Sequence, residues 1–240
     1  MKLRFLFFVL FPLNIFGQVV TNPFFPTQND FVTITYDASQ GNQDLEGESP
    51  VYIHCGLITS ESTSPSDWQH VMGNWGIADS DFQMVAIGDN LHQFSFQIDT
   101  YFDLLPDEEV FELAFVFRNA DGSIVGRSTT GEDIFYPIYN TTFAAGFVLP
   151  NSTPLIFNQD AVFDVVVASS ANADYEITYN GSSLLSLSNS SIDTFSVDAM
   201  TYGTGFHEFY MSVSNGADQV FDTLSFIIQP EPELLNAPLG

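Results

Sequence analysis

The chain predicts an all-β protein built as two tandem antiparallel β-sandwich modules. Three observations lead there. Apolar and polar residues alternate with a period of two in run after run, and no long stretch follows the 3.6-residue period of a helix. Hydrophobic residues make up 45% of 240 residues, with 25 Phe, enough to fill a substantial core. Clusters of Gly, Asn, Asp and Pro punctuate the runs where turns belong.

Residues 1–17 read first, as a secretory signal. Lys2 and Arg4 form a positive end, Phe5 to Phe16 is an apolar run too short to span a bilayer comfortably, and Gly17 is a small residue at the cleavage point. No cysteine follows the cut, so the lipoprotein route is closed and the mature chain is expected to be extracellular. Phe31-Val-Thr-Ile-Thr-Tyr36 alternates and is β-branched, the mark of a half-buried strand. Val51 to Leu57 turns Val51, Ile53, Cys55 and Leu57 to one face and Tyr52 and His54 to the other. Leu91 to Asp99 groups His92, Phe94, Phe96 and Ile98, and the strand from Phe111 to Phe117 points Phe111, Leu113, Phe115 and Phe117 inward. Asp121-Gly122 then forms a hairpin turn into Ser123 to Arg127.

The pattern breaks between Asn140 and Pro154, where Thr, Ala and Gly stand among Pro150 and Pro154. A second series follows: Ala161 to Ala168, Tyr175 to Tyr179, the Asn180-Gly181 hairpin turn, Ile192 to Val197, Phe206 to Val213 and Phe221 to Ile228. This set suits an immunoglobulin-like sandwich. Gln229 onward is an extended, Pro-rich linker that implies a further domain beyond it. The expected organisation is a signal at 1–17, one sandwich at 18–145, a second at 150–229 and a linker at 230–240.

Charge narrows the partners. The whole chain carries 4 Lys+Arg against 30 Asp+Glu. Removal of the signal takes Lys2 and Arg4, so 2 − 30 leaves a mature charge of −28, with Arg118 and Arg127 the only permanent cations. That excludes a basic footprint for nucleic acid and disfavours anionic membranes, while a neutral ligand is indifferent to the field. Cys55 is alone, which rules out an internal disulfide in the monomer, and its alternation with Ile53 and Leu57 makes it a small inward hydrophobe. Four Asn-x-Ser/Thr sites, at Asn140, Asn151, Asn180 and Asn189, would be glycosylation candidates in a eukaryotic secreted protein, but chance produces them in so Ser/Thr/Asn-rich a chain, and that is the reading we prefer.

No His-Glu-x-x-His, Gly-x-Ser-x-Gly or phosphate-binding loop occurs, and His54, His70, His92 and His207 lack metal-ligand spacing. Calcium is conceivable in so acidic a chain, but no Asp-x-Asp-x-Asp-Gly run marks a site. The sequence therefore predicts no catalytic residue, no metal and no cofactor. What stands out is the only pair of tryptophans, Trp68 and Trp75, in the polar stretch Ser66 to Gly76, read as a loop or short irregular strand pair. Two indoles there either cap the core or offer flat faces to a ligand such as a sugar ring. Asp67 beside them either caps the turn or bonds a hydroxyl. Tyr52 and His54 are either an inert outward pair or the floor beside the tryptophans. Arg118 and Asn119 either anchor the Asp121-Gly122 turn, with one ion pair, or touch ligand; Arg127 pairs with Glu132 or Asp133.

Several pieces in order carry a resemblance: Thr33-Ile-Thr-Tyr-Asp-Ala38 before Gly41-Asn42, Val51-Tyr-Ile-His-Cys-Gly56, Asp67-Trp68 with Trp75-Gly76, and Leu113-Ala-Phe-Val-Phe-Arg-Asn-Ala-Asp-Gly122 followed by Asp133-Ile-Phe135. Across residues 26–139 they resemble the N-terminal non-catalytic module of secreted α-amylases of Bacteroidota-type bacteria, with Cys55 where that family has Thr. The second half resembles the immunoglobulin-like spacer that precedes the amylase barrel. The resemblance implies a starch or α-glucan binding and spacer region, joined in the full protein to a catalytic domain that this chain lacks. It implies carbohydrate contacts at Trp68, Trp75, Tyr52, His54, Arg118 and Asn119. The rival class is an extracellular structural or adhesive protein that binds a protein partner.

Overall fold

The computed structural model describes residues 18–150 and 154–231. The expected signal at 1–17, most of the 230–240 linker and Asn151 lie outside them. The described strands are β1 (Val19–Asn22), β2 (Phe31–Asp37), β3 (Tyr52–Thr59), β4 (Gln69–Met72), β5 (Val85–Gly88), β6 (Leu91–Gln97), β7 (Val110–Arg118), β8 (Val125–Gly126), β9 (Ile134–Pro137), β10 (Ala145–Leu149), β11 (Ile156–Asn158), β12 (Val162–Tyr179), β13 (Ser182–Asp198), β14 (Gly205–Ser214) and β15 (Gln219–Gln229). The protein is all-β, a tandem of immunoglobulin-like sandwiches.

Two antiparallel sheets make the first sandwich, in the orders β1-β2-β6-β5 and β4-β3-β7-β8, with β9 also on β7. Period-two alternation sends Val32, Ile34 and Tyr36 of β2 toward Ile53, Cys55 and Leu57 of β3 and Leu113, Phe115 and Phe117 of β7, all fully buried in one cluster. The free thiol of Cys55 is buried there, and burial pushes it up to about 12, so it is an inert hydrophobe at neutral pH.

Phe111 departs from the expected pattern and is 46% exposed. Ile58 opposes Glu112, but Thr59 opposes Val110, so Phe111 is the extra residue of a β-bulge and the pleat slips phase. Val110 takes the buried place instead. Tyr52 also departs from expectation. It points away from Ile53, yet only 5% of it is exposed, because the segment after β4 folds back over it and bridges Tyr52 to Gln83.

The second cluster draws on Val165, Val167, Tyr175 and Ile177 of β12 with Phe209, Met211 and Val213 of β14, and Leu224, Phe226 and Ile228 of β15. Its sheet runs β10-β12-β14-β15-β11, with β13 on β12. The runs at 161–168 and 175–179, expected as separate strands, are one strand. Its first half pairs β10 and its second half pairs β14, with the register broken between Ala168 and Ala173. Such a break lets one strand turn from one layer into the next. Two further differences are local. The stretch expected as a plain connection holds β10, whose Phe147 N–H donates to Asp222 Oδ2 at 2.8 Å, and β11 pairs β15 in parallel rather than antiparallel fashion. The Asn180-Gly181 turn is as the sequence predicts: both residues have positive φ, 49° and 75°, as a two-residue primed hairpin requires.

Candidate binding groove

On the outer face of the β4-β3-β7-β8 sheet lies an open groove of about 370 Å³ lined by His54, Asp67, Trp68, Trp75, Arg127 and Asp133, with Ser66, Val71 and Val116 between them. It takes shape because β4 is a short edge strand. Trp68 immediately precedes it and Trp75 follows shortly after its end, so both indoles emerge beside β3 rather than from a regular strand face.

Trp68 is half-buried. Its stem passes over Gly56, where an added Cβ would stand 3.1 Å from the Gln69 carbonyl oxygen, 3.2 Å from Cε3 of the indole and 3.3 Å from the Trp68 Cβ, so only glycine on β3 admits it without displacement. Phe135 of β9 meets it edge-on at 6.2 Å. Trp75 is 49% exposed. His54 stands between them, stacked on Trp68 at 6.2 Å and 29°, and edge-on to Trp75 at 5.4 Å and 87°. A ring that lies nearly along one indole and nearly across the other leaves the two indole planes steeply inclined to each other. One imidazole bridges the gap between them, so they form two angled walls of a single groove. Burial, then the Arg118 guanidinium, lowers the pKa of His54, which favours a neutral imidazole between them.

The rim is polar. Arg127 and Asp133 form an ion pair across the arm that follows β8, which settles the choice of Arg127's partner. Asp67 does cap its turn: Oδ2 accepts from Thr63 N–H at 2.9 Å and from Thr63 Oγ at 2.8 Å, while the residue also lines the groove. Behind β4, His70 Nε2 bonds both carboxylate oxygens of buried Glu108 at 3.0 and 2.9 Å, tying the tryptophan strand to the loop before β7.

The structure brings Trp68, Trp75 and His54 together and sets the other three expected contact residues apart. Arg118 is fully buried and Tyr52 nearly so, with the guanidinium 5.2 Å from the centre of the Tyr52 ring, so neither presents a surface to a ligand. Arg118 bonds four backbone carbonyls, and no carboxylate pairs with it among the described residues, so the expected ion pair at this turn is replaced by carbonyl dipoles. Asn119 spends its side chain on Ser123 Oγ and Ile124 N–H within the hairpin turn. Sequence reasoning missed the facing of Asp133, Arg127 and Phe135 toward Trp68. Phe135 is placed by the pairing of β9 to β7, Arg127 directly follows β8, which also pairs β7, and Asp133 directly precedes β9; no local pattern announces these pairings. Among the described residues no group of three or more His, Cys, Asp or Glu is placed to hold a metal ion.

Fold and groove define the class: a tandem immunoglobulin-like β-sandwich protein with an angled aromatic groove on its first module. The model of a domain of unknown function, DUF8578, matches residues 19–125, which span β1 to the start of β8 and both tryptophans. No curated protein matches the chain. Among solved structures, an endo-β-1,4-mannanase from Thermotoga petrophila is 15% identical over 38% of this chain and 20% of its own length, with a TM-score of 0.30. Fibronectin(III)-like modules of Clostridium thermocellum CbhA are 11% identical over 36% of this chain and 98% of theirs, TM-score 0.29. The titin Ig tandem domains are 7% identical over 86% and 92%, TM-score 0.30. Likenesses at these scores carry no function to this chain; the fold class rests on the sheets themselves.

Proposed function

We propose that the first module binds a neutral, curved polysaccharide of the α-glucan class across the Trp68–Trp75 groove, and that the second module is a spacer in a secreted protein. The observation that carries this reading is the steep inclination of the two indoles about His54, one near-parallel to its ring at 29° and the other near-perpendicular at 87°. A flat β-1,4-linked ribbon stacks on coplanar platforms. A coiled α-linked chain turns each ring relative to the last and suits walls at an angle. The Asp67 rim and the Arg127–Asp133 pair supply acceptors and donors for hydroxyls, which fits the usual makeup of ligand sites. The likeness of residues 26–139 to an amylase-associated module points the same way. The chemistry is binding alone.

A Trp buries ~150–250 Å². Half of that under a sugar, at ~25 cal/mol/Å², contributes roughly 2–3 kcal/mol, so loss of one wall weakens binding by about 30- to 150-fold before ordering costs are counted. The test is affinity electrophoresis of the mature chain, residues 18–240, in gels with and without soluble starch. Retardation is expected for the wild type and sharply reduced for Trp75→Ala. Equal mobility of the folded wild type in both gels would refute the reading. A protein partner is the second reading, favoured by exposed Val71, Ile77 and Phe135, which extend the apolar surface beyond the indoles; starch retardation separates the two.

A further inference from the structure

Arg118 is an oddity that binding alone does not explain. It is one of two permanent cations in the mature chain and the largest fully buried side chain among the described residues. A buried charge is costly unless it is compensated. Here compensation comes from carbonyl dipoles and the face of Tyr52. The geometry of that compensation is specific. Asn74 to Ile77 is a turn closed by Ile77 N–H donating to Asn74 O at 3.3 Å, and Trp75 occupies its second position. Arg118 Nη2 donates to the carbonyls at both ends of that turn, Asn74 at 3.2 Å and Ile77 at 2.7 Å. Nη1 donates to Asn119 at 3.0 Å and Ala120 at 3.1 Å, at the start of the β7–β8 turn. The indole then rests on that second turn, where a Cβ at Gly122 would stand 2.9 Å from Trp75 Nε1. One planar guanidinium thus joins the turn that carries Trp75 to the turn on which it leans.

We propose that Arg118 is a positioning and specificity-determining residue: it fixes the orientation of the Trp75 wall, and so decides which glycan shape the groove accepts. The proposal rests on the glycan-binding reading of the groove. A lysine, with a compact point charge, cannot span four carbonyls on two turns as a planar fork does. Trp75 would then be free to leave its angle to Trp68, and the preference for a curved over a flat chain would fall.

The presence of only two tryptophans makes this measurable. In a Trp68→Phe background Trp75 is the sole indole, and its near-ultraviolet dichroism and acrylamide quenching report its setting without any ligand. Arg118→Lys and Arg118→Met are compared there for spectrum. In the Trp68-containing chain they are compared for retardation by soluble starch and by a soluble β-1,4-glucan, hydroxyethylcellulose. In Arg118→Met the Trp75 dichroism should collapse and quenching rise while the far-ultraviolet spectrum is kept. Starch affinity should fall to the level of Trp75→Ala, the starch-to-cellulosic ratio should drop about tenfold, equal to ~1.4 kcal/mol, and Arg118→Met with Trp75→Ala should be no weaker than Trp75→Ala alone. Arg118→Lys, which keeps the cation, should show the same changes in smaller degree and serves as the readout if the Met variant does not fold. An unchanged Trp75 spectrum and an unchanged ratio in a folded variant overturn the proposal, as do additive losses. If Trp75→Ala itself leaves starch retardation intact, the binding reading fails, and with it the role in specificity; the ligand-free spectrum then still decides whether Arg118 positions Trp75.

Discussion

His54 is where the two aromatic walls meet, and its environment sets a pH dependence. Burial, then the positive charge of Arg118, lowers its pKa, with Asp133 and the Gly73 backbone pulling the other way. His92 is lowered too, by burial against the opposing pull of Asp37. A histidine whose folded pKa is depressed takes its proton more readily in the unfolded chain. As pH falls below about 6.5, the unfolded state binds protons first and stability is lost, until the lower folded pKa is passed. Between pH 7 and 5 the wild type should therefore lose melting temperature relative to a His54→Gln/His92→Gln variant; parallel curves for the two would disprove the assignment. The tryptophans should also separate. Trp75 is half-exposed, so Trp75→Ala should cost at most about 1 kcal/mol in chemical denaturation, whereas Trp68→Ala, which removes packing against Phe135 and β3, should cost about 2 kcal/mol. At this scale the tryptophan pair, Asp67 and Cys55 are legible in the sequence, because their local surroundings announce them. Tyr52 and Arg118 are not, since their burial comes from a segment more than twenty residues away in one case and forty in the other.

Elements are legible wherever alternation and turn chemistry agree. β2, β3, β6 and most of β7 follow the period of two, and the Asn180-Gly181 turn follows from residue type alone. Departures in phase come from bulges. A bulge adds a residue without changing composition, so the outward turn of Phe111 is invisible until β3 is aligned beside it. The two expected strands join into β12 in a similar way: the chain from Ser169 to Asp174 stays in the strand across a register shift between Ala168 and Ala173 instead of ending it. The hairpin that begins β13 gives a clean test of backbone conformation. Gly181 has φ of 75° and an added Cβ there would meet nothing within 4 Å. Gly181→Ala therefore tests left-handed strain without steric clash and should cost about 1–2 kcal/mol by equilibrium denaturation. A cost near zero would mean that the hairpin turn relaxes to another type without penalty.

On the scale of the whole molecule the governing quantity is charge. With 30 acids against 4 Lys and Arg in the chain, repulsion within it is strong at low ionic strength and is screened as salt rises, with a Debye length of about 30 Å at 0.01 M and about 10 Å at 0.1 M. Stability should therefore climb with salt. Binding of a neutral glucan should not follow it. In the proposed complex, stacking on Trp68 and Trp75 and hydroxyl bonds at the rim would involve no net charge transfer, and the one arginine lining the groove, half-buried Arg127, is already paired with Asp133. Starch affinity is expected to change by less than about twofold between about 0.01 and 0.5 M NaCl, while a polyuronate of similar length should show no retardation at the low-salt end, where repulsion is least screened. The two arms oppose each other usefully. A starch affinity that falls steeply with salt, or a polyuronate that binds at the lowest salt, would mean that a local positive field holds the ligand. Arg127 would then be a free cation rather than half of a pair, and the angled indoles would no longer explain recognition.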